Sequence, residues 1–331
     1  MDAQRATCRG SLALGLLLAV ACSSDPVAIP VDRSAEKTEE SAQSESGPAR
    51  ILTPPLGPKP SVEAEPELLE SIRTFLPNGG RRVSCGPYSL WTDVRDPSLL
   101  VALDVLASRL DTEYQARLGL TPQGPSRETI VLFANLRDFQ RWESADDGSR
   151  RGYAGHSSAS EGVAVLHADR PPEDVLATTI HELAHLVHRR ALGSPLPRWL
   201  SEGLADALAD SASGEGFLPL DSVVGDEGGA RRLQSALRAG HAVPSLAELV
   251  AKGPASFDRV SPNSEVRTSY DYELSAFFVR FLLVQPDLVE CFKGFLAELA
   301  AGGRWSEDSL WLHLDQHPEE LDERFRRWLL E

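Results

Sequence analysis

Positive charge is scarce in this chain. Its 331 residues carry 33 Lys and Arg against 49 Asp and Glu, a formal net charge of −16. Nucleic-acid affinity rests on cations that neutralise phosphates, so no nucleic-acid partner is expected. No apolar run approaches the roughly 20 residues of a membrane-spanning helix. The one that opens the chain, 12–20 (LALGLLLAV), is about half that length. No internal repeat is visible, which excludes a repeat array. Cysteine is limited to four residues, Cys8, Cys22, Cys85 and Cys291.

What is present reads first as an address. Arg5 and Arg9 precede the apolar run, which ends Ala19-Val20-Ala21-Cys22. This resembles a bacterial lipobox, although Leu is commoner where Ala19 stands. The resemblance implies a lipoprotein signal over 1–21, with Cys22 lipidated and the protein held at the bacterial cell envelope. An ordinary secretory signal cut after Ala21 is the competing reading. Residues 22–65 are rich in Ser, Glu, Pro and Ala with almost no aromatics. Such a stretch cannot bury enough apolar surface to offset its ordering entropy, so a flexible linker or a propeptide is expected. Cys85 and Cys291 would then be the only pair left in the mature chain. Outside the cytosol they are candidates for a disulfide.

From residue 66 onward the texture is that of a folded domain. A strand or hairpin is expected over 83–94 and a helix over 97–118, where Leu99, Leu103, Leu106 and Leu110 recur at helical spacing. A buried strand follows over 129–134, a helical turn over 136–142, and an interrupted edge strand or hairpin over 151–167. Pro171 and Pro172 open a helix that Gly193 ends. A second helix starts near Trp199, and the Gly-, Ser- and Asp-rich stretch 211–229 reads as a mobile loop and candidate lid. Helices are expected over 246–251, 270–284, 286–301, 306–314 and 318–330. The stripe Leu321, Phe325, Trp328 and Leu329 is read as core packing. The fold class is α+β: a small sheet subdomain over about 66–192, a mostly helical one over 193–331, and the motif helix at their junction.

That motif is His181-Glu182-Leu183-Ala184-His185. Residues four apart share one helix face, so two imidazoles can converge on one ion. Glu182, beside the first histidine, is placed to reach a water on the ion. A tetrahedral catalytic zinc needs a third protein ligand and an open position. After the proline turn comes Trp199-Leu200-Ser201-Glu202-Gly203-Leu204-Ala205-Asp206, a helix carrying Glu202, with Asp206 one turn on. Asp206 can accept a hydrogen bond from a ligand histidine and fix its tautomer.

At these residues the chain resembles the gluzincin metallopeptidases, and among them peptidase MA-like bacterial proteins with HELAH followed by P-x-W-L-S-E-G-L-A. The resemblance is tight over 178–206 and loose over the rest of the domain. It implies a zincin-like fold and one Zn²⁺ held by His181, His185 and Glu202, with Asp206 supporting a ligand. It implies a peptide or protein substrate, hydrolysed while Glu182 passes a proton from water to the leaving amine. Two imidazoles and one carboxylate suit zinc. The segment 270–279 resembles the family's later helix, which makes Tyr272 a candidate donor to the developing oxyanion; packing at a helix start is its other reading. Gly152, Tyr153, Ala154 and Gly155 would belong either to the edge strand that aligns a peptide or to a turn. His188 is read as a surface or supporting residue. His156, His167, His241, His313 and His317 lack ligand spacing.

Two rivals stand beside the peptidase. One is an envelope lipoprotein that keeps the fold for binding; the other is a zinc hydrolase of a non-protein amide or ester. Replacing Cys22 with Ser is expected to move the protein from membranes to the soluble fraction on fractionation. Unchanged membrane association would count against lipidation.

Overall fold

The computed structural model describes residues 57–145, 154–193, 195–221, 227–253 and 270–331. The expected signal over 1–21, Cys22, the expected linker up to residue 56, and Gly152 and Tyr153 lie outside the described residues. No helix among the described residues is long and apolar enough to cross a membrane.

The architecture is mixed α and β, built on a five-stranded sheet in the order β1-β2-β3-β5-β4. β1 (Arg81–Cys85) and β2 (Tyr88–Thr92) form the expected hairpin. β3 (Thr129–Phe133) and β5 (Val163–His167) continue the sheet in parallel, and β4 (Gly155–Ser158) pairs antiparallel with β5 at the edge. Side chains alternate across the central strands with the period of two that a pleated strand imposes. Ile130, Leu132, Ala164 and Leu166 join the main core. Val131, Phe133, Val163 and Val165 face a smaller cluster containing Ile72 of α1 (Pro66–Arg73) and Phe139 and Trp142 of α3 (Leu136–Ala145). Both sheet faces are therefore covered, which is why β3 and β5 are apolar at nearly every position.

Helix α2 (Pro97–Leu118) crosses from β2 to β3 with the predicted bounds. Asp96 caps it by accepting from the backbone N–H groups of Ser98 and Leu99, and Gly119 ends it in the left-handed conformation. Helix α4 (Pro172–Ala191) carries the histidine motif and packs against α2, β4 and β5. α5 (Arg198–Ala209) follows after the Pro-rich turn. The remainder is helical: α6 (Glu227–Arg238), α7 (Leu246–Ala251), α8 (Asp271–Val284), α9 (Val289–Ala300), α10 (Glu307–Leu314) and α11 (Pro318–Leu330). One buried cluster runs from the sheet through α4 and α5 to Phe278 of α8 and Leu321, Phe325 and Leu329 of α11, with Trp328 packed on its margin. The two halves thus share a core.

Four expectations change. Residues 57–65, read as linker, are packed on the domain: the N–H groups of Gly57 and Lys59 donate to the carbonyls of Leu192 and Arg189, and Ala64 is buried. The first bond occupies the Leu192 carbonyl just past α4, while the Arg189 carbonyl also accepts from the Gly193 N–H. The stretch 211–229 is not a loop throughout. Strands β6 (Ala212–Ser213) and β7 (Gly216–Phe217) make a hairpin against α2 and α4, and Arg117 donates to the Leu218 carbonyl. Residues 222–226 of the candidate lid lie outside the described residues. Helix α6 was not foreseen, because Gly228 and Gly229 mask its start and only Leu233 and Ala236 mark its buried face. Finally, Cys85 and Cys291 are free thiols. Cys85 is buried at the end of β1 under α2, where burial, helped by the Asp104 carboxylate, pushes its pKa up to about 12. Cys291 sits on α9 with its Sγ 3.9 Å from the Asp287 carbonyl. The hairpin end is pinned to α2 by the bond from the Gly86 N–H to Asp104, at 2.7 Å.

Near its end, α4 is fastened by a buried cation. Arg190, with no exposed surface, donates to both oxygens of Asp111 on α2 (2.6 and 2.8 Å) and lies 3.4 Å from Glu128. Removing one partner of a buried ion pair strands the others. Arg190→Ala is accordingly expected to cost about 3–5 kcal/mol of stability, measured by urea denaturation. A loss well under 1 kcal/mol would show that the pair does not anchor the helix.

Candidate metal centre

Each residue of the centre is set by its place on α4 or α5. His181 and His185 lie one turn apart on α4, and Glu202 lies in the first half of α5. α5 is brought close to α8 at Gly203. A Cβ there would stand 2.5 Å from the Ser275 carbonyl oxygen and 2.6 Å from a Val279 methyl. Only a residue without a side chain lets the two helices approach so closely. The residue after Glu202 therefore fixes how closely α5 lies on α8.

The three groups converge. The Nε2 atoms of His181 and His185 are 3.1 Å apart, and Oε2 of Glu202 lies 3.4 and 3.7 Å from them. Ligand atoms about 2.0–2.1 Å from a tetrahedral ion are separated from each other by about 3.4 Å. The observed triangle has that size. Within the limits of one ligand atom per residue, this is the group of His, Asp, Glu or Cys side chains able to hold a metal among the described residues.

The surroundings point the lone pairs inward. Nδ1 of His181 is 2.7 Å from Oδ1 of Asp206. A carboxylate only accepts, so the proton resides on Nδ1 and Nε2 is left with its lone pair. Nδ1 of His185 is 3.0 Å from the Ser201 hydroxyl, which can hold the second ring in the same tautomer. Oε2 of Glu202 is buried and has no hydrogen-bond donor, while Oε1 pairs with Arg198 Nε at 2.9 Å. Burial alone would raise the Glu202 pKa. The Arg198 guanidinium outweighs it and holds the carboxyl well below the usual carboxylate range. Two ring nitrogens and an ionised oxygen facing one another inside a protein are mutually unfavourable unless a cation lies between them. The donor set therefore fits a metal ion.

Glu182 is buried beside His181 and stands outside the converging trio. The candidate oxyanion donor Tyr272 lies near the start of α8. Its ring packs against the main core, and its hydroxyl accepts a hydrogen bond from Arg198 at 2.8 Å. His188 is not a surface residue. It is buried between the Tyr114 and His185 rings, at 5.8 and 5.4 Å between centroids, and burial drives its pKa well down. Among the others, His156 stacks on Trp142, His167 packs on Phe139, and His313 pairs with Glu298. Arg198 and Ser201 were not anticipated. The spacing of four between Arg198 and Glu202, one helical turn, is the signal that could have found Arg198.

A scan against protein-family models and a search among curated proteins each find no match to this chain.

Gly203→Ala is expected to force α5 from α8, lowering stability by about 1–3 kcal/mol and weakening metal uptake. Thermal unfolding with and without added Zn²⁺ measures both. Unchanged stability and an unchanged metal-dependent shift would contradict the close-approach argument.

Proposed function

We propose that this chain is a zinc-dependent peptidase of the gluzincin type, on a zincin-like fold. The observation that carries the reading is the convergence of His181, His185 and Glu202 at tetrahedral spacing, with Glu202 Oε2 buried and lacking a donor. His181, His185 and Glu202 would hold one Zn²⁺, and Asp206 supports His181 from behind. The ion, when bound, supplies Lewis acidity toward a carbonyl and toward water.

The remaining steps belong to the protein's own side chains. Glu182, next to His181 on α4 and not engaged as a ligand, takes a proton from the attacking water and returns it to the leaving amine. Tyr272 supplies a hydroxyl beside the site for developing negative charge. β4 pairs with β5 and lies against α4 through Gly155, where a Cβ would sit 3.3 Å from Thr178 Cγ2. The chemistry of the centre also suits other amides; the peptide is preferred because the motif resembles that of peptidases. In this reading the protein works at the bacterial envelope, anchored by lipid on Cys22.

Metal analysis of the purified protein beside its Glu182→Gln variant, with a proteome-derived peptide library as substrate, tests the proposal. Both proteins are expected to hold zinc at one ion per chain, and only the wild type to cleave. A wild-type protein that takes up no zinc under metal-replete conditions would sink the reading.

A further inference from the structure

Arg198 is not a ligand, yet it is built into the centre. It opens α5 and is buried one turn before Glu202. Its Nε is 2.9 Å from Glu202 Oε1, and its second terminal nitrogen donates to the Tyr272 hydroxyl at 2.8 Å. The guanidinium carbon lies 5.8 Å from the centre of the Tyr272 ring. One planar cation thus bridges α5 and α8 at the end of each helix that faces the site.

A carboxylate has two equivalent oxygens, and it can meet a cation with one or with both. Here the two are made unequal. Oε1 forms the ion pair with Arg198 Nε, at 2.9 Å, while Oε2 faces the imidazoles and has no donor. Arg suits this task because it stays charged when buried. A two-oxygen contact from Glu202 would occupy the position that a catalytic metal must keep open for water or substrate.

We propose that Arg198 is a positioning residue: by holding Oε1 of Glu202 it leaves Oε2 alone to meet the metal, and Tyr272 braces it from α8. This inference rests on the reading of His181, His185 and Glu202 as a metal centre. It concerns coordination number as well as affinity, so it has readouts that a merely structural role would not move.

The test uses the full chain as wild type, Arg198→Met, Arg198→Gln and Tyr272→Phe. Zinc affinity is measured by competition with a chromophoric chelator, and coordination number is read from the visible spectrum of the Co²⁺-loaded proteins. Wild type is expected to give an intense four-coordinate spectrum. Arg198→Met and Arg198→Gln are expected to bind zinc about 10–100-fold more weakly, with the weaker cobalt bands of a higher coordination number as Glu202 turns both oxygens to the ion. Tyr272→Phe should keep the four-coordinate spectrum and lose less affinity. If wild type binds neither metal, the metal reading itself fails. If wild type binds but both Arg198 variants match it in affinity and spectrum, the metal reading stands and the role of Arg198 is overturned. Should Arg198→Met fail to fold by circular dichroism, Arg198→Gln decides by the same two criteria.

Discussion

The burial of Arg190 is the constraint on which the rest of this structure depends. A guanidinium without exposed surface must be surrounded by acceptors, and here they come from α2 and from the segment entering β3. The phenol of Tyr88 on β2 lies at 3.4 Å, so the sheet is tied in as well. Because these partners lie in separate elements, α4 has one rotational setting in which all are met. That setting turns His181 and His185 toward α5.

A second close contact completes the centre from the other side. α5 has α4 on one flank and α8 on another. The absence of a side chain at Gly203 sets its distance from α8. Paired groups then organise the interior. Arg198 compensates the charge of Glu202, and Asp206 lies 2.7 Å from Nδ1 of His181. Both partners stand on the side away from the three converging atoms. Polar groups this deep are tolerated only when paired in this manner, and the pairing leaves one shared direction open.

Much of this arrangement was legible in the sequence. The spacing of His181 and His185, the proline turn and the Glu202/Asp206 pair already named the groups that converge, because helical periodicity carries side-chain direction directly. The bounds of α2 were equally plain, with Asp96 and Gly119 as stop signs. What was hidden depended on contacts between elements. Nothing local tells that Gly57 and Lys59 would lie along the end of α4, since their partners are over a hundred residues away. The pair Cys85 and Cys291 looked like a bridge only because composition carries no distances. α6 escaped notice because tertiary packing of Leu233 and Ala236 overrides two glycines at its start. The role of Arg198 needed the position of Tyr272, seventy-four residues further on.

The way the chain enters the fold has a mechanical meaning. Gly57 and Lys59 are bonded to the last carbonyls of α4, and the left-handed turn at Gly193 is closed against Gly57, where a Cβ would stand 2.2 Å from the Gly57 carbonyl oxygen. Tension applied through the preceding residues is therefore loaded first onto the terminal turn of the helix that bears both imidazoles. Arg190 sits in that same turn, and its ion pairs act as the clamp that takes up the load before it reaches His185.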